Sequence, residues 1–143
     1  MEKIHKLSEK YNPKDFEDQL YQGWNDKGYF KPSMDKTKPS YSIVMPPPNV
    51  TGKLHMGHAL DAALQDLLIR YKRMQGYNTL WLPGTDHSAL STEAKIVAQM
   101  KEEGLKKSDI GRAGFLERAW DWTKLYGGTI VSQQKKLGCS CDW

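Results

Sequence analysis

The stretch Met45-Pro46-Pro47-Pro48-Asn49-Val50-Thr51-Gly52-Lys53-Leu54-His55-Met56-Gly57-His58 decides how the rest of the chain is read. Three consecutive prolines hold φ near about −65° and supply no backbone N–H, so neither a helix nor a ladder continues through them. Gly52 and Gly57 free the backbone to turn or to approach a neighbour closely. His55 and His58 fall where a helical pattern begins. Unpaired N–H groups and the dipole at such a start favour anionic ligands, phosphates above all.

Upstream lies Tyr41-Ser42-Ile43-Val44-Met45, a short, β-rich, nearly continuous apolar run that reads as a buried parallel strand. Downstream, Leu60, Leu64, Leu67, Leu68, Tyr71 and Met74 share one stripe of a helix over residues 59–75. Ala59, Ala62 and Ala63 permit close packing, and Gly76 ends the helix. Thr79-Leu80-Trp81-Leu82 is a second strand, stopped by Pro83-Gly84. Strand, helix and strand in this order form a βαβ unit with a right-handed crossover. In a parallel sheet, ligands bind beyond the carboxyl ends of the strands. Residues 46–58 leave one such end and Pro83-Gly84-Thr85-Asp86-His87 the other, so the two segments are expected at one edge.

The flanks read as helices. Asn12 and Pro13 make an N-cap and first helical position, and Phe16, Leu20 and Trp24 give a face that packs on the sheet before Gly28 ends it. Residues 32–39 are a polar connector. Ser88 or Ser91 caps a helix holding Ile96, Val97 and Met100, closed by Gly104. Ser108 or Asp109 caps the next, with Phe115, Ala119 and Trp122 on one stripe and Leu116 with Trp120 widening it. At helical core spacing the two tryptophans read as core rather than as base-stacking platforms. Gly127-Gly128 is expected to break this helix, leaving a short last one over residues 129–137 before Gly138.

At 143 residues the chain is one domain by length. With 27% charged and 38% hydrophobic residues it has an ordinary globular composition. The net charge of +4 suits a polyanionic partner, although a charge this small is by itself an ordinary lysine-rich surface. Residues 1–10 are polar and read as a frayed end without the apolar core of a signal peptide. Glu2, Glu9 and Asp15 argue against a transit peptide, and no apolar run approaches the about 18 residues of a membrane span, so a cytoplasmic location with no membrane partner is expected. Cys139 and Cys141 stand too close for an unstrained disulfide and read as buried or surface thiols rather than half of a zinc site.

His55-Met56-Gly57-His58 resembles the HIGH-type signature of class I aminoacyl-tRNA synthetases, and Pro46-Pro47-Pro48-Asn49-Val50-Thr51-Gly52 resembles the valyl branch of that family. The likeness runs from about Tyr11 to Trp143. A lone His-x-x-His would carry little weight; the fourteen-residue context is specific. The resemblance implies an α/β fold, the first half of a class I Rossmann-type nucleotide-binding fold with a parallel βαβ core and flanking helices. Residues 1–40 would be an N-terminal helix and connector, and residues 41–143 the N-terminal half of the catalytic domain. The family's editing insertion, KMSKS-type half and anticodon-binding region have no counterpart in these residues, and the aromatic end at Asp142-Trp143 reads as a cut in a longer chain.

The activity so implied is ATP-dependent conversion of valine to valyl-adenylate and transfer to tRNA(Val). ATP would enter as its magnesium complex, with no tightly bound cofactor, no protein metal site and a monomeric full-length enzyme. His55 and His58 would be the catalytic pair, donating hydrogen bonds to phosphate oxygens. ATP would meet Asn49, Thr51, His55, Gly57, His58 and His87, with Gly57 leaving room for the adenine. Valine would meet Pro46, Pro47, Pro48, Asn49 and Asp86, the Asp86 carboxylate pairing with its ammonium. Without the family, Asp86 reads equally well as an Asx-turn aspartate and His87 as a turn histidine. Two departures stand beside Asp86: Ala89 where the branch has glycine, and Glu93 where it has glutamine. Other readings are a non-catalytic binding fragment, a nucleotidyltransferase using His-x-x-His, and a metal protein using His55, His58 and His87.

Overall fold

A computed structural model describes residues 10–143; the expected frayed end lies almost wholly outside them. In chain order the elements are a 3-10 turn Pro13–Asp15, α1 Glu17–Asp26, β1 Ser40–Val44, α2 Met56–Met74, β2 Asn78–Leu82, α3 Ala89–Glu102 and α4 Lys107–Lys136. β1 and β2 pair in parallel, with Ser40 opposite Asn78 and Val44 opposite Leu82. The α/β class and the βαβ unit are as the sequence predicts.

Burial in this unit is one-sided. Thr79 and Trp81 of β2 are buried, and their partners Tyr41 and Ile43 are half-buried. The alternate residues Val44 and Leu82 are exposed, so β1 is a strand with one covered face rather than the fully buried strand expected. Met45, Ala62, Ile69, Trp81, Cys139 and Cys141 form the core, with Tyr41, Ile43 and Trp143 packed around it.

α2 meets the sheet with a different face from the one its apolar stripe suggested. Ala62 and Ile69 are buried, whereas Leu60, Leu64, Leu67, Leu68, Tyr71 and Met74 are all exposed. Polar residues complete the inward face. Trp81 Nε1 donates to Gln65 Oε1 at 3.0 Å. Asp66 accepts from Ser140 N at 3.0 Å and from Ser140 Oγ at 2.5 Å. Arg70 donates to Asp66 and to the Gly138 carbonyl, each at 2.7 Å, and Arg73 to Ser140 Oγ at 3.1 Å. This clasp carries residues 138–143 back across the sheet, where Asp142 N donates to Trp81 O. Burial holds the Arg73 guanidinium below its usual pKa, with Arg70 adding to the effect.

The remaining helices depart from expectation at identifiable residues. Asn12 does cap, accepting from Lys14 N, but it starts only the 3-10 turn; Phe16, at φ −152°, separates that turn from α1. α1 turns Tyr21 rather than Phe16 and Leu20 to the interior. Tyr21 Oη donates to Cys139 O at 2.6 Å and accepts from Trp143 Nε1 at 2.7 Å, so α1 packs on the C-terminal segment instead of the sheet.

α3 begins after Ser88, and Gly104 at φ +76° closes it as predicted. α4 begins before either cap expected for it, with Lys106 at the N-cap position and Ser108 and Asp109 inside the first turn, from which Asp109 accepts from Lys106 N at 2.8 Å. Gly127-Gly128 does not break α4; the bend falls at Gly111, whose φ of +61° lies outside the helical region. Two helical glycines cost about 1 kcal/mol each relative to alanine, and tertiary contacts on both sides of the pair offset that. Ile130 and Gln134 are buried beyond it, and Trp122 is tied down before it. Trp120 is 61% exposed, so the core role expected from its helical spacing does not hold for it, while Trp122 is half-buried.

Candidate functional site

The ladder between the strands runs one residue past their ends, Met45 N donating to Leu82 O at 2.9 Å. Pro46, Pro47 and Pro48 then offer no donor, and the pairing lapses. It resumes where Asp86 N donates to Pro48 O and Val50 N to Asp86 O, both at 2.9 Å, an isolated parallel bridge of Asn49 with Asp86. The two post-strand segments are thus stitched together at the sheet's carboxyl edge, with a proline-walled gap between the two points of pairing. An ideal Cβ on Gly84 would lie 3.8 Å from Pro47, so the walls meet there. Pro48 and Val50 are buried, while Pro46, Pro47 and Asn49 are exposed along the opening and Thr51 is half-buried behind them.

The histidines sit at the start of α2. His55 is the N-cap, its Nδ1 accepting from Gly57 N at 3.1 Å. His58 Nδ1 reaches back to accept from His55 N at 3.2 Å, a reciprocal arrangement like a capping box. Because each Nδ1 accepts, the proton of each neutral imidazole belongs on Nε2, and both rings present an N–H donor away from the backbone. The rings lie 3.9 Å apart between centroids. Partial burial, with His55 beside it, lowers the pKa of His58 and favours the neutral ring. A Cβ on Gly57 would meet His55 Cε1 at 3.0 Å. The missing side chain at Gly57 is what lets the His55 ring fold over the helix start.

Asp86 is exposed and makes the local bond that an Asx-turn requires, its Oδ1 accepting from Ser88 N at 2.9 Å. Its Oδ2 has no partner among the described residues. Ser88, one residue before Ala89, takes the left-handed conformation, φ 36° and ψ 72°, and Ala89 itself opens α3. Glu93 pairs with Lys107 of α4, which accommodates its charge beside the site. His87 is exposed; its carbonyl accepts from Thr92 Oγ1 at 2.7 Å, and it lines a hollow of about 440 Å³ with Thr92, Phe115 and Trp120. The topology therefore joins residues 48–50 of the signature loop to Asp86, while His87 turns toward the helical side. Among the described residues, no group of three His, Cys, Asp or Glu side chains is arranged to hold a metal ion.

Three residues that the motif reading passed over touch the signature segment, all from α4. Trp122 Nε1 donates to Val50 O at 2.7 Å. Gln133 Oε1 accepts from Leu54 N at 2.9 Å, and Gln134 Nε2 lies 2.9 Å from Met45 Sδ. No local sequence signal marks them, since they are 72, 79 and 89 residues from their partners.

The model of tRNA synthetases class I (I, L, M and V) matches residues 19–143. Similar curated proteins include the valine--tRNA ligases of Clostridium acetobutylicum, 54% identical over all 143 residues, and of Clostridium perfringens, 57% identical over 96% of this chain. That of Bdellovibrio bacteriovorus is 51% identical over the whole chain. In each case the chain spans 16% of the relative's length. Among solved structures, the Agrobacterium radiobacter K84 agnB2 LeuRS, in its ternary complex with tRNA and LeuAMS, aligns with a TM-score of 0.74. It is 19% identical, with 94% of this chain and 15% of that one covered, and shares the fold. With a signature loop, a paired-loop edge and a family match over residues 19–143, the chain belongs to the class I tRNA synthetases.

Proposed function

We propose that this chain carries the HIGH-type half of a valyl-adenylate site, and that the longer protein it represents joins valine to tRNA(Val) at the expense of ATP. The observation that carries the reading is the bridge of Asn49 with Asp86, which sets the histidine loop and a half-free carboxylate on one edge. The likeness to valine--tRNA ligases at 51–57% identity supports valine over the other substrates of the family.

In the reaction, a valine carboxylate oxygen forms a bond to the α-phosphorus of ATP while the bond to the bridging oxygen breaks, its electron pair leaving with pyrophosphate. Such a step needs positioning and charge neutralisation more than covalent help. His55 and His58 would direct their Nε2–H donors at phosphate oxygens from the positive end of α2. Gly57, Asn49, Thr51 and His87 complete the nucleotide contacts in this reading. Asp86 would hold the valine ammonium on Oδ2, with Oδ1 kept in place by Ser88. Pro46, Pro47 and Pro48, with Asn49, form a rigid wall for a small branched side chain. Magnesium enters with ATP as part of the substrate, and the residues at 41–143 act as the first half of the catalytic domain behind an N-terminal helix and connector. A monomeric, cytoplasmic enzyme fits the reading, and no helix of the described residues is long and apolar enough to cross a membrane.

The melting temperature of the chain with non-hydrolysable valyl-, isoleucyl- and threonyl-adenylate analogues tests this, since a ligand of the folded form raises it by mass action. The valyl analogue should raise it clearly and the isoleucyl analogue little. The threonyl analogue should approach the valyl one, because an apolar wall discriminates poorly against an isosteric hydroxyl. Asp86→Ala should abolish the valyl response and leave part of an ATP-analogue response. Equal responses to all three analogues, or equal loss of both responses in Asp86→Ala, would overturn the assignments.

A further inference from the structure

Within the signature loop, Thr51 N donates to Asn49 O, and His55 and His58 tie the helix start to itself. Pro46, Pro47 and Pro48 bring no donors, and the two bonds to Pro48 and Asp86 fix only its first part. Between Val50 and the helix start at Met56, the hydrogen bonds to α4 among the described residues are the Val50 carbonyl on Trp122 and the Leu54 amide on Gln133. These two α4 residues are eleven apart, about three turns and about 16 Å of helix, so they project from nearly the same face. Gly127 and Gly128, where a break was expected, lie between them in unbroken helix. A third contact from the neighbouring position, Gln134 on Met45 Sδ, marks the loop's beginning; Gln134 is buried and its Oε1 has no partner among the described residues.

We infer that Trp122 and Gln133 are positioning residues for His55 and His58, with α4 acting as a straightedge that fixes the distance along the signature loop. The inference rests on the proposed function for its consequence to ligand binding, but the geometry it asserts stands without it. Leu54 directly precedes the N-cap His55. Holding its amide sets where the helix starts, and so sets the mutual placement of the two rings, whose centroids lie 3.9 Å apart with their planes tilted by 43°. Trp122 fixes the other end, where Val50 adjoins Asn49 of the bridge. Trp122 and Gln133 both act through backbone groups of the loop.

The test uses the full chain with Trp122→Phe, which keeps most of the ring and loses the N–H, Gln133→Leu, which loses the acceptor, and Gln133→Glu, which restores one. Three quantities are read: amide exchange at Leu54, the ring-proton NMR shifts of His55 and His58, and affinity for a non-hydrolysable ATP analogue. In Gln133→Leu, protection at Leu54 should fall, the mutually shielded histidine ring protons should move, and affinity should drop about tenfold, as loss of one backbone tie allows. Gln133→Glu should recover all three. Trp122→Phe should move the same ring protons with the melting temperature changed by only a few degrees. Unmoved ring protons in both Gln133→Leu and Trp122→Phe would overturn the inference, as would Gln133→Glu behaving like Gln133→Leu. If the unaltered chain binds no ATP analogue, the functional reading fails for this chain, and the ring-proton shifts alone decide the positioning role.

Discussion

The two faces of α2 differ in a way opposite to their hydropathy. At about 100° per residue, Ala62, Gln65, Asp66, Ile69, Arg70 and Arg73 centre on one side of the helix, and Leu60, Leu64, Leu67, Leu68, Tyr71 and Met74 on the other. The first set, half of it charged, meets the sheet and the C-terminal segment. The second, wholly apolar apart from one tyrosine hydroxyl, is exposed, with Met74 at 84%. An amphipathic period therefore reports that a helix has a contact face, without saying which surface of the protein that face meets. Here a small alanine, one isoleucine and a satisfied polar network do the packing.

Four substitutions or titrations break or sharpen this contrast, in falling order of effect. Ile69→Ala empties a fully buried position on the inward face and should cost about 2–5 kcal/mol of unfolding free energy, read from the denaturant midpoint. A cost near zero would mean that the inward face is not the packed one. Asp66→Ala removes the acceptor shared by Arg70 and Ser140 and should cost about 1–3 kcal/mol, since it strands partly buried donors. Leu67→Gln, on the outward face, should change stability by no more than about 0.5 kcal/mol. A larger loss would show that something covers the stripe in solution, and sedimentation of the same variant would tell whether it is a second copy.

The smallest effect belongs to the N-terminal end of the helix. The pKa of His58 in the folded chain lies below its unfolded value, so between the two values the unfolded chain binds more protons. Stability should therefore decline as pH falls below the ordinary histidine range, and rise again toward neutrality. His58→Gln should flatten that slope in urea titrations repeated across pH; an unchanged slope would assign the dependence to other groups.

Much of the site's architecture was legible because it is local. Three prolines, two glycines and a histidine pair dictate a donor-poor turn into a helix, and two post-strand segments must share an edge in any parallel βαβ unit. The bridge of Asn49 with Asp86 is the consequence of that rule. What was not legible depended on distant partners. Tyr21 rather than Phe16 faces inward because Cys139 and Trp143 lie beside it, more than a hundred residues away. Gly127-Gly128 stays helical because contacts on either side outweigh its local preference. Trp122 could be read as an apolar residue from its spacing, but its indole N–H found the Val50 carbonyl, and nothing in the neighbouring sequence names that acceptor.

Cys139 and Cys141 are buried under the clasp of Asp66, Arg70 and Arg73, and burial pushes the Cys139 thiol up to about 12 and the Cys141 thiol higher still. Neither sulfur is then a thiolate at neutral pH, and neither can be reached while residues 138–143 lie in place. A maleimide or disulfide dye added to the native protein can modify them only during moments when that segment lifts away. The two thiols thus form a built-in stopwatch for the C-terminal segment, and their labelling rate measures how often the polar underside of α2 lets go.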